Sequence, residues 1–194
     1  MKLIIGLMAM LLPIITQSQN EDTKLPEVGD LLNMSIAFDK VINSEYSTIN
    51  LISLRGKLVI LDFWATYCTN CIKEFPKLDS LQKKYGYQIQ IVMIVQQAGN
   101  LITEENIKDF ISNWHKKHSL DIPIAIVNSQ DYVNTLFPHT TIPHYIWIDP
   151  DGRLMAKTMA SFITKTNIET ALEEYRNILQ KRNNKIKKNP IKQN

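Results

Sequence analysis

Cys68 and Cys71 are the two cysteines of the chain and stand three positions apart in Trp64-Ala65-Thr66-Tyr67-Cys68-Thr69-Asn70-Cys71. Thiols at i and i+3 can close a disulfide across one helical turn. Where such a turn opens a helix, the unpaired N–H groups and the macrodipole stabilise a thiolate on the first cysteine. Cys68 is therefore the expected nucleophile and Cys71 the resolving thiol. Exchange then runs by attack on a partner's disulfide, a mixed disulfide, and displacement by the second thiol. An inert stabilising disulfide and half of a zinc site are the other readings of the pair. A loop this short gains little loop-closure entropy, and no second cysteine pair exists to complete a zinc site.

The elements around the pair must place it at a helix start. Leu58 to Trp64 (LVILDFW) is an almost continuous apolar run, the pattern of a strand buried on both faces. Behind it Thr66 is the expected N-cap of a helix to about Lys84, with Ile72, Phe75, Leu78, Leu81 and Tyr85 at three-to-four spacing and a kink expected at Pro76. Gly86 ends that helix and Ile89 to Val95 repeats the buried-strand pattern, so strand, helix and strand form the crossover unit of a parallel sheet. A second helix is expected from Thr103 to about Lys117, with Glu104 and Glu105 in its first turn. Further on, the pattern gives a strand at Ile122 to Val127 and one or two helical turns over Asp131 to Phe137. A hairpin joins Tyr145–Ile148 to Arg153–Thr158 through Asp149-Pro150-Asp151-Gly152. An amphipathic helix over Thr166 to Arg182 closes the fold, and the stretch from Ala37 to Leu51 reads as an earlier hairpin.

At 194 residues, 44% apolar and 21% charged, the chain has the composition of one globular domain with extensions. Lys2 followed by the apolar run Leu3 to Ile15 and then Thr16, Gln17 and Ser18 reads as a secretory signal peptide over residues 1–18, with an uncleaved anchor as the alternative. Residues 19–27 read as a linker, 28–182 as the domain and 183–194 as a disordered basic tail, so the mature protein is expected outside the cytoplasm, periplasmic or secreted. The body from Gln19 to Asn177 carries 15 basic and 19 acidic side chains. That balance argues against a nucleic-acid groove, which needs clustered Lys and Arg. His115 and His118 in "WHKKH" lack an acidic partner and read as solvated rather than as metal ligands, so no metal and no cofactor is expected.

The segments "LVILDFWATYCTNCIKEFPKL" and "TIPHYIWIDPDGRL" resemble the thioredoxin superfamily, and within it the extracytoplasmic TlpA/ResA-like thiol-disulfide oxidoreductases. The resemblance covers roughly Val28 to Arg182. It implies an α/β fold, a central mixed β-sheet flanked by helices, with the CxxC at a helix N-terminus. It also implies a cis Pro143 beside the cysteines and an Ile142 backbone that pairs with substrate. Trp64, Tyr67, Ile142, Pro143 and His144 are then the expected substrate-binding residues. Asp62, six residues before Cys68, matches the thioredoxin carboxylate that deprotonates the resolving thiol, and Glu74 matches the acid of "KEFP" in ResA-like proteins. Burial raises a carboxyl toward the working range, so either could take the Cys71 proton; Asp62 is the first choice.

Two positions depart from the family. Asn70 stands where proline is commonest, and His144 follows Pro143 where a smaller or hydroxyl residue is commoner, which could bring an imidazole near Cys68. The resemblance implies a protein-disulfide reductase fed by a membrane thiol-electron donor, with disulfide-bonded proteins as substrates and apocytochrome c as one candidate class; a monomer is expected. A peroxiredoxin-like peroxidase is one alternative, although Ala65 occupies the place of its threonine. A redox-silent binding module on the same fold is the other.

Overall fold

The computed structural model describes residues 25–99 and 102–188. The expected signal peptide, most of the linker and the last six residues of the tail lie outside them.

The buried runs become the central strands. β4 (Leu58–Trp64) is buried at all seven positions, β5 (Ile89–Gln96) at six of eight, and β6 (Ile124–Val127) throughout. With β2 (Val41–Ile42), β7 (His144–Ile148) and β8 (Leu154–Thr158) they form a six-stranded sheet in the order β2-β6-β5-β4-β7-β8. The β4, β5 and β6 strands run parallel, whereas β2, β7 and β8 pair antiparallel to their neighbours. The sheet is therefore mixed, with the crossover from β4 to β5 made by α1 (Thr69–Tyr85).

Alternation along β4 divides the core. Leu58, Ile60 and Trp64 pack with α1, α2 (Glu104–His115) and α4 (Lys165–Lys188) on one face. Val59, Leu61 and Phe63 pack on the other against the N-terminal segment Leu32–Phe38 and Val133 of α3 (Tyr132–Leu136). Asp62 has the parity of Ile60 and Trp64 and so belongs to the face that α1 covers.

The early hairpin is reorganised. β1 (Ala37–Phe38) does pair antiparallel with β3 (Ile49–Asn50), but β2 between them turns to the main sheet and pairs with β6. Asn43 makes the change of direction possible. It sits at φ +57°, and its amide donates to the carbonyls of Leu120 and Ile122 at 2.7 Å. Helix α2 starts where expected, on a Thr103–Asn106 capping box. Helix α1 runs on through Pro76 to Tyr85, and α4 extends to Lys188, six residues past the expected end.

Candidate active site

The site forms where β4 hands over to α1. The expected cap, Thr66, does not cap the helix: α1 begins at Thr69 and its N-cap is Cys68 itself. The Cys68 Sγ accepts a hydrogen bond from the Cys71 N–H at 3.2 Å, so sulfur occupies the place that an oxygen of Ser, Thr or Asp usually takes. This places the first sulfur directly on the unpaired amides of the helix start, the environment that lowers a thiol's proton affinity. Cys68 and Cys71 are joined in a disulfide, with Cα atoms 5.3 Å apart. Cys71 is 1% exposed and belongs to the core beneath α1, whereas Cys68 is only partly buried at its rim. Cys68 is thus the more exposed and Cys71 the sealed member of the pair, the asymmetry that a nucleophile and a resolving thiol require.

The peptide bond between Ile142 and Pro143 is cis. A groove of about 220 Å³ opens along this loop, lined by Trp64, Tyr67, Gln96, His139, Thr141 and Ile142 among others. It lies past the C-terminal ends of β4 and β5, where open α/β sheets take their ligands. Tyr67 is 73% exposed and stands next to Cys68 in sequence. Trp64 is only 3% exposed and packs edge-on against Phe75 at 5.0 Å between centroids, so it supports the groove from the core more than it faces solvent.

Asp62 is completely buried, and neither of its carboxylate oxygens completes a well-aligned hydrogen bond. Burial pushes its carboxyl up to about 8; the hydroxyl of Tyr145 pulls the other way, and the charge of Glu74 adds to the rise. Glu74, one turn beyond Cys71, is ion-paired with Lys77. The structure thus brings both expected acids into electrostatic contact, with Asp62 inside the protein and Glu74 held by a cation.

His144 lies elsewhere. It pairs with Phe63 in the β4–β7 register and shares that residue's face of the sheet, opposite to the face that holds Cys71. Its ring stacks on His139 at 5.1 Å with 10° between planes. Burial, with the neighbouring His139 next, holds its imidazole below the ordinary histidine range, which disfavours the protonated form invoked for thiolate stabilisation. His115 bonds to Asn43 at 2.9 Å and His118 packs on Trp114 at 4.4 Å, so the two rings of "WHKKH" take separate partners.

Sequence reasoning overlooked Tyr145. It faces Asp62 across the β4–β7 register, is 0% exposed, and its hydroxyl completes no well-aligned hydrogen bond. The sequence signal was a tyrosine in an otherwise apolar strand; the residue it faces depends on register.

A thioredoxin-like family model matches residues 56–154, half of the chain. The thiol-disulfide oxidoreductase ResA of Bacillus cereus is 30% identical over 135 residues, 69% of this chain and 72% of that protein. ResA of Bacillus subtilis is 26% identical over 132 residues, 68% of this chain and 66% of that protein. A putative thiol:disulfide interchange protein DsbE from Chlorobium tepidum superposes with a TM-score of 0.59 at 20% identity, over 76% of this chain and 99% of that one, a likeness of fold. These similarities run through the very segment that bridges its cysteines at a helix start, and the chain belongs to the thioredoxin-like family as a thiol-disulfide oxidoreductase.

Proposed function

We propose that the protein reduces disulfides of other proteins outside the cytoplasm. One observation carries this reading: a partly exposed cysteine at the helix N-cap bridged to a buried one, on the face of the sheet that also buries Asp62. In the dithiol form the Cys68 thiolate attacks one sulfur of a substrate disulfide. That bond breaks, a mixed disulfide forms, and the released substrate thiolate takes a proton from water. Asp62 accepts the proton of Cys71, whose thiolate attacks Cys68 Sγ. The mixed disulfide breaks, the second substrate thiol leaves with a proton, and the two electrons of the Cys68–Cys71 dithiol have passed to the substrate. The groove beside Ile142 and Pro143 offers a place for the substrate backbone, with Tyr67 at its edge. The site of action outside the cytoplasm rests on the charged-then-apolar start of the sequence and on likeness to ResA. Disulfide-bonded proteins, with apocytochrome c one candidate class, are the proposed substrates, and a membrane thiol donor is the proposed source of electrons. Among the described residues no helix is long and apolar enough to cross a membrane.

Equilibration in a graded thiol–disulfide buffer followed by thiol trapping tests the reading. A reversible couple near or below about −270 mV is expected of a reductase, whereas a value near about −120 mV would make the protein an oxidant. A disulfide that resists reduction throughout would leave a redox-silent scaffold.

A further inference from the structure

Asp62 and Tyr145 are register partners across the β4–β7 pair, and both are 0% exposed. In this oxidised form neither the carboxylate oxygens nor the hydroxyl completes a well-aligned hydrogen bond, although the hydroxyl stands near enough to draw the carboxyl's proton affinity down. A buried donor or acceptor left unsatisfied costs about 1–3 kcal/mol. Folds rarely leave two such groups face to face without a use for them. Few other donors are near among the described residues: on the same face of β4 the Trp64 indole N–H is also buried without a partner, and it is the one competitor for the carboxylate. On β5 the register partner of Asp62 is the apolar Met93. On β8 the register partner of Tyr145 is Thr158, whose hydroxyl accepts from the Trp147 indole at 2.9 Å and keeps its own proton to donate. From α1 come Glu74, which is ion-paired with Lys77, and Cys71. His144 lies on the opposite face. The hydroxyl that the register sets beside Asp62 is therefore that of Tyr145.

We propose that Tyr145 is a positioning residue for the proton acceptor of Cys71: when Asp62 ionises, the Tyr145 hydroxyl donates a hydrogen bond to the carboxylate, fixes it toward α1 and makes the charge tolerable in the core. The inference rests on the reading of Asp62 as that acceptor. The proton balance is simple. Cys71 gives its proton to the Asp62 carboxylate, the Tyr145 hydroxyl keeps its own proton throughout, and the Cys71 thiolate displaces the substrate sulfur from Cys68. Burial, and then the charges of Asp62 and Glu74, hold the tyrosine far above its ordinary range, so it stays a donor at every pH at which the enzyme works.

The test uses the reduced protein and a small aromatic disulfide that releases a coloured thiolate twice, first on attack by Cys68 and then on resolution by Cys71. In Tyr145→Phe the first phase is expected to be unchanged. The second phase should slow roughly tenfold near neutral pH, with its pH midpoint moved up by about one unit, because the carboxylate has lost its donor. Asp62→Asn should abolish that inflection, and Asp62→Asn/Tyr145→Phe should equal Asp62→Asn, since the tyrosine acts only through the acid. A Tyr145→Phe second phase with the wild-type midpoint overturns the inference while leaving Asp62 in place. An Asp62→Asn second phase with the wild-type profile overturns the acid's assignment instead. Should Tyr145→Phe fail to fold, seen as loss of the first phase, the decision passes to wild-type protein carrying ring-fluorinated tyrosine. Its more acidic hydroxyl donates more strongly and should lower the midpoint of the Asp62 carboxyl carbon resonance; an unmoved midpoint overturns the proposal.

Discussion

The Cys71 N–H donates to Cys68 Sγ at 3.2 Å, so the first cysteine caps the helix whose second cysteine it is bonded to. On reduction, the same amide faces a sulfur free to ionise. Cys68 is then expected to titrate below an ordinary thiol, read from thiolate absorbance in Cys71→Ser. Serine is itself a good N-cap, so Cys68→Ser should fold and lose exchange by at least about a thousandfold. Cys71→Ser should attack normally and then stall as a covalent mixed disulfide, visible as an added mass. Normal turnover in Cys68→Ser would remove that cysteine from the nucleophile's role.

The buried Asp62 predicts a stability that depends on pH in an unusual direction. Its carboxyl lies at about 8 in the folded protein and near about 3.9 in an unfolded chain. Between these values the folded state binds more protons than the unfolded one, so stability falls as pH rises through the window. Asp62→Asn removes this titration. In the oxidised protein the variant should match the wild type near pH 4 and exceed it at pH 8 by a few kcal/mol, roughly 2–5. Denaturant midpoints at the two pH values check this, and a gap that does not grow with pH would mean that Asp62 is already ionised in the fold.

How far the sequence reached depended on the range of the interaction. The buried runs at Leu58–Trp64 and Ile89–Val95 announced central strands because a strand covered on both faces needs apolar residues at nearly every position. The cysteine pair was legible because spacing alone limits what it can bond. Partners across strands were not legible. That Asp62 faces Tyr145, and that His144 shares Phe63's face of the sheet and stacks on His139, follow from a register that one strand's sequence does not contain. Thr66 is the stronger cap by residue type, yet the bridged Cys68 takes the role two positions later. What anchors α4 escaped for a similar reason: Asp151 in the β7–β8 turn accepts from Tyr175 at 2.9 Å and pairs with Arg182.

The turn that supplies Asp151 makes its own prediction. Gly152 lies at φ +91°, and a Cβ there would come within 2.8 Å of the Met34 side chain. Gly56 has a similar φ of +89° but open space around it. Gly56→Ala should therefore cost about 1 kcal/mol, the backbone penalty alone. Gly152→Ala carries the same penalty and must also displace a buried methionine, so about 2–3 kcal/mol is expected. Thermal or denaturant unfolding of both variants separates the two contributions, and equal losses would show that Met34 moves aside freely.

Tyr67 tests what the groove is for. Its ring is largely exposed, adjoins the nucleophile in sequence and borders the space beside Ile142. An exposed aromatic in that position gains by covering part of a bound chain, and such contacts are worth about 0.5–1.5 kcal/mol. A folded or peptide disulfide reaches the ring, whereas a small symmetric disulfide needs only Cys68. Tyr67→Ala should therefore lower kcat/KM for a protein disulfide by about tenfold, mostly through KM, and leave the small disulfide within about twofold of wild type. Equal losses on both substrates would assign the tyrosine to the thiol's own environment, because only an effect on Cys68 reactivity is felt alike by partners of every size.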